Sequence, residues 1–195
     1  MRLAIKRLLL IILIGGGLAG CATSTTPPSK PHNLCSIFKE KPDWYKAAKK
    51  SQDKWGTPVQ IMMAIMYQES SFKHDAQPPR PWFLFIPLPR RSSAYGYAQA
   101  QDPVWGEYLE EAGGWFANRE NFADAIDFIG WYNHKSRKIN GVSLWRADLL
   151  YLNYHDGWGG YRRGTWKSKD WLKRTARKVK WRASEYGEQL RRCNL

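Results

Sequence analysis

Apolar residues recur at helical intervals along most of the chain. Residues 42–56, PDWYKAAKKSQDKWG, read as a helix that stops at Gly56, a common C-terminal punctuation. Thr57, Pro58 and Gln60 read as a capping box with proline in the first helical position, so a second helix is predicted from about 58 to 71. Residues 101–114 carry a start signal at Pro103 and a stop at Gly113. Phe122, Ile126, Ile129 and Trp131/Tyr132 recur at helical spacing, and Ala147, Leu150, Tyr151 and Tyr154 share one face of the next helix. Leu172, Ala176, Val179, Ala183, Tyr186 and Leu190 form an apolar stripe on a last helix whose other positions are largely basic. The proline-rich stretch 73–94 has no period and reads as a long loop. No internal repeat and no convincing strand pattern stands out. The predicted class is all-α, with a short β excursion in the 73–97 loop.

The helix from 58 to 71 differs from the rest. Val59, Ile61, Met62, Met63, Ala64, Ile65, Met66 and Tyr67 leave it almost no polar face, and such a helix belongs at the centre of a domain. The run IMMAIMYQESSF nevertheless places a carboxylate, Glu69, one turn beyond Ile65 and Met66. Desolvation and the negative end of the helix dipole both disfavour a charge there, and both raise the pKa. A carboxylic acid still protonated near neutral pH is what a general acid requires. The alternative is a Glu69 that points into solvent from a frayed helix end.

The N-terminal segment changes the picture of location. Residues 1–20 have a basic start (Arg2, Lys6, Arg7), an apolar stretch from Leu8 to Ile14 and small residues after it, which is a signal-peptide pattern. The apolar stretch is short for a membrane span. Leu18-Ala19-Gly20-Cys21 resembles the lipobox of bacterial lipoproteins, which implies cleavage before Cys21 and lipid on its thiol. With Ala22 next, the resemblance implies an outer-membrane anchor facing the periplasm. Residues 21–34, rich in Thr, Ser and Pro, read as a flexible tether. The folded domain is then 35–195, a size that suits one core. Cys35 and Cys193 sit at its two ends, and in an oxidising compartment they are either a disulfide or two separate thiols. No spacing of Cys or His suggests a metal site. The net charge is +14, and residues from Tyr161 onward hold twelve Lys/Arg against three Asp/Glu. Such a surface suits anionic lipid or an acidic polymer, and export argues against nucleic acid.

Three blocks together resemble the lytic transglycosylase SLT domain of the lysozyme-like superfamily. TPVQIMMAIMYQESSF is similar to the family helix in which an apolar run ends in Glu-Ser, here Glu69-Ser70. AYGYAQ is similar to the Gly-Leu-Met-Gln block: Gly96 and Gln99 match its ends, while Tyr97 and Ala98 replace its middle. NYHDG resembles Ala-Tyr-Asn-Ala-Gly, with Tyr154 and Gly157 matching and His155 in place of the Asn. The resemblance implies a mainly helical lysozyme-like fold and cleavage of peptidoglycan glycan strands, with Glu69 as the single catalytic acid. It also implies substrate contacts by Ser70, Tyr97, Gln99, Tyr154 and His155, and neither cofactor nor metal. The implied partners are the glycan strand and, through the lipid on Cys21, the membrane.

Three rivals stand beside it, of which nucleic-acid binding by residues 161–192 needs a cytoplasmic location and is opposed by the export signal. A hydrolytic lysozyme would need a second carboxylate, for which Asp75, Asp102 and Asp156 are the candidates. A non-catalytic wall-binding lipoprotein would use the cationic last helix. The distance from Glu69 to Gln99 is long for the family, and the extra part, 78–91, holds Trp82, Phe83, Leu84, Phe85, Ile86 and Leu88. Four readings of it are open: a lid, a glycan subsite, a membrane contact, or a satellite core.

Overall fold

The computed structural model describes residues 25–195. The expected signal peptide and Cys21 lie outside the described residues. The elements are α1 (Leu34–Glu40), α2 (Pro42–Trp55), α3 (Val59–Ser70), a hairpin of β1 (Trp82–Phe83) and β2 (Ile86–Pro87), and α4 (Asp102–Tyr108) continued by a π-helical turn (Leu109–Gly113). Then follow α5 (Phe122–Asn140), α6 (Ala147–Arg163), a 3-10 turn (Thr165–Ser168) and α7 (Asp170–Arg191). The fold is mainly helical and the β excursion falls within the 73–97 loop, as expected.

Helix α3 is the axle. Val59, Met62, Met63, Ala64, Ile65 and Met66 are fully buried, because α2, α5, α6 and α7 all pack around it. An all-round apolar helix has no face to give to water, so it is enclosed on every side. The long amphipathic α7 lays Leu172, Ala176, Val179, Ala183 and Tyr186 into this core, with Leu190 partly buried at its end.

Local signals hold in part. Gly56 ends α2 in the left-handed conformation, its N–H on Gln52 O. The capping box does not form. Pro58 takes the N-cap position itself, so Thr57 stands one residue too early. The Gln52 side chain accepts from Val59 N instead (2.9 Å), and the buried Thr57 hydroxyl has no partner among the described residues. The expected helix at 101–114 changes to a π turn from Leu109, which carries Glu111 to Trp131 Nε1 (3.1 Å) and Lys135 Nζ (2.8 Å).

The described part of the expected tether is not free. Pro28 is buried, and Ser29 donates from both N and Oγ to Glu40 (3.0 and 2.7 Å). The Tyr186 hydroxyl donates to Pro31 O, Gln189 Nε2 donates to His32 O (3.1 Å), and Leu34 N donates to Gln189 Oε1 (2.7 Å). Composition alone conceals this, because the partners of Pro31, His32 and Leu34 lie some 155 residues away on α7. Asn33 then caps the short α1 through Ser36 N, an element with no clear sequence signal. Cys35 and Cys193 form a disulfide across a Cα separation of 5.7 Å, which resolves the two thiol alternatives.

Candidate active site

Glu69 occupies the last turn of α3 and is half-buried. Behind it the chain turns on Ser71 (φ 52°) and Phe72 (φ 63°). A left-handed conformation costs a non-glycine residue roughly 1–2 kcal/mol. Phe72 offsets this by burying its ring completely, against Trp44 and Tyr67; a buried phenylalanine contributes about 1.5–3 kcal/mol. The turn thereby stops the helix directly after the acid. Burial pushes the Glu69 carboxyl up to about 7, and a hydrogen bond from Tyr151 opposes the shift. Burial also raises the Tyr151 and Tyr154 hydroxyls, and in both the charge of Glu69 adds to it. Tyr151 and Tyr154 lie three residues apart on α6, so both face the acid.

The other two sequence blocks meet this helix end. The Tyr154 hydroxyl donates to Ala98 O (2.6 Å), and Gln99 Nε2 donates to Ala76 O (2.7 Å) and Gly96 O (2.9 Å). Gly96 has φ +74°, and a Cβ there would stand 2.3 Å from Arg119 O, so only glycine fits. Helix α6 breaks its regular backbone at Gly157 (φ 71°, ψ 162°), a region open essentially to glycine alone. The break follows Tyr154, His155 and Asp156, and lets these side chains line a groove instead of a continuing helix face.

That groove encloses about 290 Å³, and its walls include Gln99, Val104, Phe128, Tyr132, Tyr154 and His155. Tyr154 borders both the groove and the carboxyl, whereas Glu69 is not part of the wall. A larger cavity of about 410 Å³, around Trp44, His74 and Asn118, shares no residue with it. The stack of Tyr132 on Trp158 (4.6 Å between centroids) and the edge contact of Tyr132 with Tyr154 (5.0 Å) stiffen one wall.

The remaining expected contacts fare differently. Ser70 is buried and bonds back to Met66 O (3.2 Å) within its own helix. Tyr97, expected at the substrate, is 2% exposed: its ring packs edge-on against Trp44 (5.6 Å) and Phe122 (5.8 Å) and belongs to the core. The Gln99 amide is occupied by backbone carbonyls, so it braces the turn. His155 stays in the wall, its Nδ1 3.1 Å from Asp156 and its ring edge-on to Trp171 (4.9 Å). Tyr151, the partner of the acid, was legible only as an apolar-face residue, one helical turn before Tyr154.

Three carboxylates are possible seconds to Glu69. Asp156 is in the groove wall, but its side chain is 1% exposed and holds Lys169 (2.7 Å), Thr165 (2.6 Å) and His155 (3.1 Å). Burial raises its pKa, and these bonds outweigh that, so it is held below the ordinary carboxylate value. Asp102 is bound by Arg119 (2.6 Å), and Asp75 is mostly exposed. Among the described residues no group of three or more His, Cys, Asp or Glu is arranged to hold a metal.

No curated protein and no solved structure matches the chain. A family model described as a transglycosylase SLT domain does match, over residues 8–193. That match takes in the buried helix, the 95–100 turn and the broken α6, whose meeting point holds the Glu69 carboxyl raised toward neutrality, and on it the chain belongs to the transglycosylase SLT domain family.

Proposed function

We propose that the protein is a peptidoglycan lytic transglycosylase that cuts the β-1,4 bond between N-acetylmuramic acid and N-acetylglucosamine, with Glu69 as both acid and base. The observation that carries this reading is the Glu69 carboxyl at about 7, set by burial and tempered by Tyr151. Near neutral pH such a group is substantially protonated yet can lose its proton within a turnover. Glu69 gives its proton to the glycosidic oxygen as the C1–O bond breaks. The substrate's own 2-acetamido oxygen closes on C1 and holds the developing positive charge, a substrate-assisted route that needs no second enzymic carboxylate. The Glu69 carboxylate then takes the C6 hydroxyl proton. O6 bonds to C1, the acetamido oxygen leaves, and a 1,6-anhydro end forms without water. Tyr151 steadies the ionised Glu69 between the two proton transfers. Tyr154 and Gln99 hold the groove's turn in place, and His155 lies where a sugar substituent would pass. A Cys21-linked lipid on the outer membrane would keep the site facing the periplasm and its substrate.

Digestion of purified sacculi followed by product mass measurement tests the reaction. Products lighter by one water than the hydrolysed sugars are expected. Hydrolysed muropeptides would instead favour a muramidase that uses Asp156 to position water. Intact sacculi that retain the protein would favour a wall-binding role.

A second measurement addresses Tyr151. Its hydroxyl favours the charged form of Glu69, so its removal raises the acid's pKa further. The wild-type rate should fall as pH rises through about 7, where the free enzyme loses its proton. In Tyr151→Phe that basic limb is expected at higher pH, by roughly 0.5–1 pH unit for a hydrogen bond of ordinary net strength. A basic limb that stays in place would reject Tyr151 as the group that tunes Glu69.

A further inference from the structure

The 78–91 loop is not a satellite core. β1 and β2 pair antiparallel, Trp82 opposite Pro87 and Phe83 opposite Ile86, and Leu84 turns the tip with φ 51°. Phe85 is 92% exposed and Leu84 78%, and Trp82, Phe83, Ile86 and Leu88 are exposed as well. None of the six belongs to the domain's core. A contiguous apolar surface of this kind on a folded domain marks a docking site.

Charge identifies the occupant. Residues 76–101 contain no Asp or Glu, while Arg80, Arg90 and Arg91 flank the hairpin and are exposed. At its foot a cavity of about 400 Å³ is lined by Arg80, Arg90 and Arg119 together with one carboxylate, Asp102, which Arg119 holds at 2.6 Å, so the three guanidinium groups outnumber the acid. Arg119 also donates to Ser93 O (3.2 Å) and Ala100 O (2.9 Å), and Tyr95 bonds Glu120. These bonds tie the foot of the hairpin to the neighbouring turn, whose Trp115 and Phe116 are 96% and 100% exposed.

Sugar recognition pairs flat rings with hydrogen-bonding side chains. Here the rings alternate with Leu84, Ile86 and Leu88, which have no π face, and within 82–88 the Trp82 indole N–H is the single side-chain hydrogen-bonding group. Acyl chains accept rings and aliphatic groups alike, and guanidinium groups bind phosphate bidentately at the bilayer surface. We infer that the 82–88 hairpin is a membrane finger, its apolar tip entering the acyl zone of an anionic phospholipid bilayer while Arg80, Arg90 and Arg91 hold headgroup phosphates. Among the described residues no helix is long and apolar enough to cross a membrane. The hairpin's strands are two residues each, far short of a membrane span, so the finger makes a surface contact, which would orient the domain however it is anchored.

The test follows depth at single positions in the full chain. Cys35 and Cys193 are bonded to each other, so a Cys21→Ala chain with Phe85→Cys offers one thiol for an environment-sensitive fluorophore. Phe85 is exposed, so the change leaves the fold intact. The chain is mixed with vesicles of phosphatidylglycerol and phosphatidylethanolamine. A blue-shifted probe, quenched by nitroxides in the acyl chains, is expected at 85, and an unshifted one when it is placed at Trp171→Cys on α7. Adding Arg80→Ala and Arg90→Ala is expected to weaken the shift at least about tenfold in lipid concentration, from two lost charges near the surface. A probe at 85 that stays water-like on vesicles, or that shifts only with soluble glycan strands, overturns the inference. So does an equal shift on purely zwitterionic vesicles.

Discussion

Glu69→Gln is expected to fold normally and to release muropeptides from sacculi at least about a hundredfold more slowly than wild type, the minimum attributed to a general acid. Glutamine keeps the shape and the hydrogen bond to Tyr151 but cannot deliver a proton. The same substitution should alter stability in the opposite direction. The folded-state pKa of Glu69, about 7, lies above the ordinary carboxyl value of 4.5, so the native state holds its proton more tightly than the unfolded chain. Stability attributable to this group is therefore full below about 4.5 and is lost as pH rises to about 7. A neutral amide has no such loss. At pH 7.5 and above the variant is expected to be the more stable by about 1–2 kcal/mol, after allowance for partial exposure. Denaturant unfolding at pH 5 and pH 8 measures the difference. An active variant would reject Glu69 as the acid, and an unchanged pH dependence would reject its raised pKa.

Loss of the Cys35–Cys193 bond is the second large effect. It closes a loop with a sequence separation of 158, and a loop that long sits at the upper end of the entropic scale. The double substitution Cys35→Ser, Cys193→Ser is expected to cost about 2–5 kcal/mol. For a domain of this size that corresponds to a Tm lower by roughly 5–15 °C. Thermal unfolding of wild type with and without reductant should reproduce the shift, and an identical Tm in all three samples would show that α7 and the segment 28–33 hold without it.

Sequence pattern was most informative where one element decides its own environment. Helix α3 is apolar all round and so had to be central, and α7 carries a single stripe and so had to lie on the surface with that stripe inward. Gly56 could be read because a left-handed stop is a local event. The misreadings share a cause of another kind. Tyr97 sat in a block that suggested substrate, but Trp44 from α2 and Phe122 from α5 capture its ring, and neither is near it in sequence. Residues 31–33 looked like linker because Pro31 and His32 are held from α7, at the far end of the chain. The capping box failed by one residue, since proline took the cap. Tyr151 shows the limit for the site: its face on α6 was evident, but only packing against α3 gives it Glu69 as a neighbour.

The clasp between the chain's two ends also has a mechanical meaning. Force on the N-terminal side enters through 28–35 and passes straight into α7 by the Cys35–Cys193 bond and the contacts of Tyr186 and Gln189. The covalent part of that path runs beside α3, and the acid's helix is reached by softer side-chain packing, the His32 ring on Tyr67 (5.4 Å between centroids) and the apolar stripe of α7. A pull on either end of the domain therefore loads the clasp before it loads the acid's own helix.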